Sequence, residues 1–109
     1  MSVSVSIIVP CYNVAAYLDQ CMESLAGQSM EDIEIICVND GSSDRTAEIL
    51  REWRDRDGRV RVIDRKNSGV SAARNSGMEA AAGKYIGFVD PDDVVERNMF
   101  RRLFDAAVE

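Results

Sequence analysis

Residues 33–44 read IEIICVNDGSSD, a short β-branched run that passes directly into a polar segment. The run at 33–39 is typical of a buried strand, and the residues from Asp40 to Asp44 supply turn and helix-capping side chains at its carboxyl end. The same change from apolar to polar recurs along the chain. It predicts further strands at residues 4–9, 60–63 and 85–89.

The segments between these strands have the apolar spacing of amphipathic helices. Helices are predicted at residues 14–26, 44–57, 70–82 and 96–108. Asn13 and Asp44 are in position to cap the first two, and Gly27 and Gly58 follow their ends. In the third helix Gly77 lies among small residues, which indicates a close approach of the helix backbone to the sheet.

Alternation of strand and helix implies right-handed crossovers and parallel pairing. The predicted fold class is α/β: a doubly wound, mostly parallel sheet of strand order 3-2-1-4 with helices on both faces. This order leaves the apolar strand at 85–89 on an open edge, which natural proteins usually cover or charge. We therefore expect further chain to pair with that edge, or two copies to form a homodimer through it.

The composition of the chain argues against some classes of function. The chain has 109 residues, 46% of them hydrophobic, and 13 Lys+Arg against 19 Asp+Glu give a net charge of -6, as expected for one acidic domain. No basic run is present, so a nucleic acid is not the expected partner. The apolar runs are too short to cross a bilayer and residues 1–6 do not resemble a secretory signal, so we expect a cytoplasmic setting.

The sequence contains no histidine, which removes Ser/His and Cys/His nucleophilic catalysis. The cysteines, Cys11, Cys21 and Cys37, are odd in number and form no CxxC pair. Buried thiols are expected rather than a zinc site. Chemistry would then depend on carboxylates, a metal ion, Lys, Tyr or backbone groups.

Ligands of open α/β sheets bind beyond the carboxyl ends of the strands, and here those segments are strongly polar. Any one of them alone is explained by helix caps and turns. Asp90, Asp92 and Asp93 are harder to explain, because like charges held together call for a compensating cation. Caps for the last helix would account for one or two of them. Carboxylate oxygens without His or thiolate suit Mg²⁺ or Mn²⁺ completed by substrate phosphates.

An anionic ligand would also need cations, and Lys66 and Arg74 are the candidates. Arg74 falls in the first turns of the third helix, near its positively polarised start. The sequence has neither a GxGxxG after the first strand nor a GxxxxGK[ST] anywhere. Dinucleotide dehydrogenases and P-loop enzymes are thereby excluded.

Four segments in this order resemble the nucleotide-binding half of family 2 glycosyltransferases, which have the Rossmann-like GT-A fold. They are VSIIVPCYN at 5–13, IICVNDGSSD at 35–44, NSGVSAARNSG at 67–77 and YIGFVDPDD at 85–93. Each is weak alone, but the four together cover nearly the whole chain.

The resemblance implies roles for particular residues. Pro10 and Tyr12 would line the nucleotide pocket, Asp40 would accept a hydrogen bond from the base, and Arg74 would help to hold the base or the phosphates. Asp90 and Asp92 would be the DXD pair. Asp90 would face the ribose and the metal, and Asp92 would coordinate the metal that bridges the diphosphate. Pro91 stands where many relatives have Ser or Ala, and we expect it only to stiffen the loop.

The implied reaction is inverting transfer of a sugar from a nucleotide diphosphate, with UDP favoured, to a hydroxyl of a saccharide or lipid-linked acceptor. Surface polysaccharide or glycolipid synthesis at the inner face of the membrane is the implied setting. The family's general base lies in a later segment, expected beyond Glu109. Residues 1–109 are accordingly expected to be a donor-binding fragment that binds nucleotide weakly and transfers no sugar alone.

Three other classes of protein could also account for a chain of this length and pattern. A phosphoacceptor receiver domain carries acids after its first and third strands, whereas here they follow the second and fourth. A sugar nucleotidyltransferase would carry a Gly-rich basic loop after the first strand, which is absent. A noncatalytic nucleotide-binding or assembly module stays open for the fragment.

Overall fold

A computed structural model describes residues 2–108. Strands and helices alternate as the sequence predicts. Their bounds are β1 Val5–Cys11, α1 Ala15–Ala26, β2 Ile33–Asp40, α2 Thr46–Arg56, β3 Val60–Arg65, α3 Val70–Ala80, β4 Tyr85–Phe88 and α4 Met99–Val108.

The strands form one parallel sheet of order β3-β2-β1-β4, which confirms the predicted order. Val5 of β1 pairs with Ile33 of β2 and with Tyr85 of β4, so these three strands begin at the same end of the sheet and run in the same direction. Because β3 and β4 lie at opposite sides of the sheet, the crossover through α3 passes over β2 and β1. This path brings the start of α3 to the carboxyl ends of the two central strands.

The two faces of the sheet are covered by different helices. Side chains of α1, α2 and α4 pack on one face, where Leu18, Leu50 and Phe100 belong to the larger core cluster. Helix α3 covers the other face, where Ala73 meets Ile8, Ile36 and Val38. The prediction of helices on both faces is confirmed.

The predicted close approach of α3 is also found. A Cβ on Gly77 would lie 2.5 Å from Cγ2 of Ile8, closer than packed carbon atoms approach. The absence of a side chain at position 77 therefore sets the distance between α3 and β1.

Strands β1, β2 and β3 extend further than the sequence predicts, whereas β4 ends at Phe88, one residue before its predicted end. Strand β1 continues through Pro10 to Cys11, although proline removes a backbone donor. The carbonyl of Ile8 accepts from Val89 N–H on the β4 side of β1. Because backbone groups two residues apart in a strand point to the same side, an N–H at position 10 would also point to this side, past the end of β4. No ladder bond is lost there, and a proline is tolerated in a central strand.

Helix α4 begins at Met99 rather than at residue 96. The buried carboxamide of Gln28 is the reason, because it donates to the carbonyl of Glu96 at 2.8 Å and accepts from Phe100 N–H at 3.2 Å. In a helix that began at residue 96, the Glu96 carbonyl would accept from Phe100 N–H. Here both groups bind the side chain of Gln28, which follows α1, instead of each other. Gln28 caps α4 from a distant part of the sequence.

Strand β4 lies at the edge of the sheet as predicted, and Ile86 and Phe88 are both exposed.

Among the described residues no helix has the length and apolar character to cross a membrane. Cys11, Cys21 and Cys37 are all buried free thiols, as the sequence predicts.

Candidate functional site

A cleft of about 280 Å³ opens at the carboxyl ends of β1 and β2, beside the start of α3. The path of the α3 crossover explains why these three elements meet at one place. The cleft is lined by Pro10, Cys11, Tyr12, Asp40, Asn67, Gly69, Val70 and Ala73.

Asp40 is the polar centre of the cleft. Its side chain is 4% exposed, and its oxygens accept from Ser68 N–H and Gly69 N–H, each at 3.0 Å. The Asn67 amide donates to the Asp40 carbonyl at 3.0 Å. Since a carboxylate can accept about four hydrogen bonds, Asp40 anchors the segment before α3 and keeps acceptor capacity for a ligand.

Gly41 follows Asp40 with φ of +70°, in the left-handed region. A Cβ there would lie 2.6 Å from the backbone nitrogen of Asn67. Only glycine fits both this backbone conformation and this contact. The turn after β2 can therefore touch the segment after β3, which closes one side of the cleft.

The opposite side is formed by the turn after β1. Pro10 is buried, whereas the Tyr12 side chain is 52% exposed and stands at the rim. An exposed aromatic ring at the mouth of a cleft offers a flat apolar surface for a planar ligand. The sequence-based placement of Pro10 and Tyr12 beside Asp40 corresponds to one cleft of the structure.

The turns after β1 and β2 are held together by reciprocal hydrogen bonds. Asn13, at φ of +51°, accepts through Oδ1 from Ser43 N–H at 2.8 Å and from Asp44 N–H at 3.3 Å. Asp44 accepts through Oδ2 from Ala15 N–H at 3.2 Å and through Oδ1 from Thr46 N–H at 2.9 Å. A hydrogen bond from the Thr46 side chain, together with these backbone N–H groups, outweighs burial and holds the pKa of Asp44 below its ordinary value.

The prediction that Asn13 caps its own helix is therefore wrong. The residue before α1 is Val14, which makes no side-chain cap, and Asn13 serves the turn that precedes α2 instead. Asp44 does serve α2, but Arg45 separates it from the first helical residue and it also binds the start of α1. Contact between the two turns decides both roles, and a local reading of the sequence does not contain it.

We expect the effects of Asn13→Ala and Asp44→Ala to be less than additive. Asp44→Ala removes a cap worth about 1 kcal/mol, Asn13→Ala removes hydrogen bonds to the turn before α2 worth about 1 kcal/mol, and either one also loosens the shared contact between the turns. Urea denaturation of both single variants and the double variant measures the coupling, expected at about 0.5–1 kcal/mol. Asn13→Ala combined with Asp57→Ala, at the far end of α2, is the control and is expected to be additive. Full additivity in the first pair would contradict the reciprocal contact between the two turns.

A second cleft, of about 380 Å³, lies on the other side of Arg74. The acidic residues 90–93 form a turn closed by a hydrogen bond from Asp93 N–H to the carbonyl of Asp90 at 3.0 Å. The Arg74 guanidinium lies 3.5 Å from a carboxylate oxygen of Asp90 and 6.0 Å from the ring centre of Phe88. Arg74 and Ala73 are neighbours on α3, so the two clefts adjoin through this helix.

The carboxylates of this turn point to solvent. Asp90, Asp92 and Asp93 are all exposed, and within residues 2–108 no three His, Cys, Asp or Glu side chains converge on a point that could hold a metal ion. A hard ion such as Mg²⁺ keeps several waters and binds one or two carboxylates together with substrate phosphates. The oxygens of Asp90 and Asp92 fit an ion completed in that way, and they do not form a closed protein cage.

The thiols near the clefts are unreactive. Burial, with a smaller effect of the carboxylates of Asp93, Asp92 and Asp90, raises the pKa of Cys21 to about 12. Burial likewise raises the pKa of Cys11, which lines the first cleft, and that of Cys37. A thiol that stays protonated is a poor nucleophile, so the cysteines serve as packing residues.

The structure thus groups the predicted site residues into two adjoining sets. Pro10, Tyr12 and Asp40 share the first cleft, and Arg74 and Asp90 share the second. Lys66 is exposed on the segment before α3 and lines neither cleft. Asn67, Gly69 and Val70 were not predicted as site residues, although the strand order already implied that the start of α3 returns to the central strands.

Comparison with solved structures defines the class of protein. Staphylococcus aureus TarS 1–349 in complex with UDP-GlcNAc superposes with a TM-score of 0.84 at 33% identity, over 96% of this chain and 30% of that one. The mannosyltransferase PcManGT from Pyrobaculum calidifontis, in complex with GDP-Man and Mn²⁺, gives 0.83 at 22% identity over 98% and 32% of the two chains, a likeness of fold alone. The fold is that of the GT-A glycosyltransferases.

Sequence comparison then gives the family. The family model for glycosyl transferase family 2 matches residues 6–109, so the chain belongs to glycosyltransferase family 2. It is 54% identical over 103 residues to the uncharacterized glycosyltransferase EpsJ of Bacillus subtilis, covering 94% of this chain and 30% of EpsJ. It is 43% identical over 105 residues to glycosyltransferase GlyA of Streptococcus pneumoniae, covering 96% of this chain and 15% of GlyA. The chain therefore spans under a third of these two relatives.

Proposed function

We propose that residues 2–108 form the donor-binding part of an inverting, divalent-metal-dependent glycosyltransferase that uses a nucleotide-diphosphate sugar. The observation that carries the proposal is the pair of adjoining clefts, with a buried carboxylate and an exposed aromatic ring in one and a cation beside an acidic turn in the other. The first cleft suits a planar base with hydrogen-bond donors, and the second suits an anionic diphosphate with a bound metal ion. Binding of UDP-GlcNAc by TarS, which is 33% identical to this chain, supports a nucleotide sugar as the donor.

In the proposed complex the first cleft holds the base. Tyr12 packs against its face, and the free acceptor capacity of Asp40 takes an N–H from its edge. Uracil has such a donor at its N3 atom, whereas cytosine has an unprotonated ring nitrogen there. A buried acceptor therefore favours UDP over CDP, because an unpaired or repelled acceptor loses binding energy.

The second cleft holds the diphosphate and the ribose. Arg74 supplies a fixed positive charge near the phosphates, and Asp90 and Asp92 would hold Mg²⁺ or Mn²⁺. When bound, such an ion stabilises the charge that develops on the leaving diphosphate. In the proposed reaction an acceptor hydroxyl attacks the anomeric carbon from the side opposite the diphosphate.

The reaction also needs an acceptor and a general base that takes the proton of its hydroxyl. Since the chain spans 30% of EpsJ and 15% of GlyA, we propose that both are supplied by parts of the full transferase that this chain does not include. Saccharide or lipid-linked acceptors at the inner face of the membrane are the proposed setting. Pairing of two copies through β4, whose Ile86 and Phe88 are exposed, stays a prediction.

Calorimetric titration of the 109-residue chain with UDP, GDP, CDP and dTDP tests donor binding. We expect UDP to bind in the presence of Mn²⁺, to lose at least about tenfold in affinity with a chelator, and to lose as much in Asp92→Ala. Asp55→Ala, which removes an equally exposed charge from α2, is the matched control and is expected to bind as the unmodified chain does. Metal-independent binding, or equal weakening in both variants, would contradict the role of Asp92.

A transfer assay on the same protein separates the proposal from the noncatalytic alternative. Donor binding without sugar transfer is expected for this chain, and transfer is expected once the remaining part of a transferase is present. Robust turnover by the 109-residue chain alone would overturn the proposed division of roles.

A further inference from the structure

Arg65 lies directly opposite Asp40 at the end of the sheet. The two residues are register partners in the pairing of β2 with β3, so their side chains point to the same face, the one covered by α3. Arg65 was not among the residues predicted for the site, because the polar segment 64–69 reads as a loop. Its position becomes significant only through the pairing with Asp40.

The guanidinium of Arg65 connects three elements. Its Nη1 donates to the carbonyl of Ala72 at 2.8 Å and to the hydroxyl of Ser76, both on α3. Its Nε lies 3.5 Å from Oδ1 of Asp40. That separation is longer than a good hydrogen bond, and Nε is a buried donor with no hydrogen-bond partner among the described residues, so the contact with Asp40 is one of charge.

This arrangement constrains the carboxylate. The Asp40 side chain is 4% exposed, and an unpaired charge so deeply buried would be costly. Two backbone N–H groups bind the carboxylate from the segment 68–69, and Arg65 faces it from the neighbouring strand. The two hydrogen bonds set the direction of the carboxylate, and the charge of Arg65 lies against Oδ1, the oxygen that also accepts from Ser68 N–H.

We propose that Arg65 is a positioning residue for base recognition: it holds Asp40 and the first turns of α3 in one rigid unit, so that the carboxylate meets an N–H of the base. This inference rests on the proposed function. Arg65 itself need not touch the nucleotide. Its effect is on the geometry of Asp40 and hence on selectivity between bases that carry a hydrogen on ring atom N3, as uracil does, and bases that do not, such as cytosine.

The same strand provides a matched control. At the other end of β3, Arg61 donates through Nη1 to a carboxylate oxygen of Glu34 on β2 and to the Ala80 carbonyl on α3, both at 2.9 Å. Arg61 and Arg65 thus make similar ties between a buried carboxylate and α3, at opposite ends of the sheet. Only the tie made by Arg65 adjoins the cleft.

The test compares Arg65→Met, Arg65→Lys and Arg61→Met by titration with UDP and with CDP in the presence of Mn²⁺. We expect Arg65→Met to weaken UDP binding about tenfold and CDP binding less than twofold, because only UDP uses the aligned carboxylate. Arg65→Lys keeps the charge and is expected to recover part of the lost selectivity. Arg61→Met is expected to keep the selectivity of the unmodified chain.

Each outcome has a defined meaning. Equal weakening of UDP and CDP by Arg65→Met, or the same change in selectivity from Arg61→Met, means a structural role only and overturns the inference. Unchanged UDP binding in Arg65→Met also overturns it. Failure of the unmodified chain to bind UDP overturns the proposed function as well. Urea denaturation checks folding, and if Arg65→Met lacks a cooperative transition, Arg65→Lys carries the comparison and must lower the selectivity.

Discussion

Gly41→Ala is expected to destabilise the protein by about 2–5 kcal/mol and to remove measurable UDP binding. Two costs add at this position. A residue other than glycine in the left-handed region costs about 1–2 kcal/mol, and Gly41 has φ of +70°. The added Cβ would also lie 2.6 Å from the backbone nitrogen of Asn67, and forcing two segments apart costs about 1–3 kcal/mol.

The loss of binding follows from what the collision moves. Asn67 donates to the Asp40 carbonyl, and Ser68 and Gly69 donate to the Asp40 carboxylate. Displacing the segment 67–69 disturbs all three contacts and one wall of the cleft. Flexible side chains could adjust to a new methyl group at low cost, but the obstruction here is backbone.

Two other glycines separate strain from collision. Gly69 has φ of +101° but open space around its Cβ position, so Gly69→Ala is expected to show the conformational cost alone. Gly58 has neither an unusual φ nor a neighbour within 4 Å, so Gly58→Ala is expected to be neutral or slightly stabilising. Urea midpoints should fall in the order Gly58→Ala, Gly69→Ala, Gly41→Ala. A Gly41→Ala variant as stable as Gly58→Ala would rule out the tight turn described above.

The fold was largely predictable because its determinants are local. Each strand is a short apolar run and each helix has a clear periodicity, and alternation of the two leaves few topologies. Element ends were less predictable. Strand β3 extends over Asp64 and Arg65, which look like loop residues, because they pair with Asn39 and Asp40 of a distant strand.

The candidate site was predictable in part for a similar reason. Pro10, Tyr12 and Asp40 lie at or just beyond the carboxyl ends of strands that the topology places side by side, and they do share a cleft. The roles of Asn13 and Arg65 depend on contacts across 30 and 25 residues of sequence, with Ser43 and Asp40. Such roles emerge only when the register of the strands and the contacts of the turns are known.

The second large effect is expected at the opposite end of the sheet, at Glu34. This side chain is buried and accepts from the Ser6 hydroxyl and from Ala82 N–H, each at 2.6 Å, as well as from Arg61. Ser6 in turn accepts from Gly83 N–H at 2.8 Å. The cluster joins the end of α3 to β1 and β2, and in the same turn Lys84 N–H donates to the carbonyl of Val3 at 3.3 Å.

Glu34→Leu is therefore expected to cost about 3 kcal/mol, because it leaves the buried Ser6 hydroxyl without an acceptor and removes the partner of Ala82 N–H. Glu34→Gln keeps one acceptor oxygen but replaces the other by a donor, so a smaller loss is expected. Urea denaturation at pH 7 measures both. UDP binding should change little when measured on the folded fraction, since the cluster lies at the edge away from the cleft. A Glu34→Leu variant as stable as the unmodified chain would refute the structural role of the cluster.

The pH dependence of the free energy of unfolding separates the contribution of the Glu34 charge from that of its packing. Burial alone would raise its pKa, but hydrogen bonds from Ser6 and Ala82 and the nearby Arg61 outweigh burial and lower the pKa below its ordinary value. A carboxyl with a lowered pKa in the folded state contributes stability that is fully present above its unfolded pKa, about 4.3, and is lost as the pH falls through the folded value. The stability gap between the unmodified chain and Glu34→Gln should accordingly shrink as the pH falls from 6 to 3. The gap to Glu52→Gln, an exposed glutamate on α2, is the reference against which that change is judged. A Glu34→Gln gap that stays constant over this range would mean that packing, and not ionisation, gives Glu34 its effect.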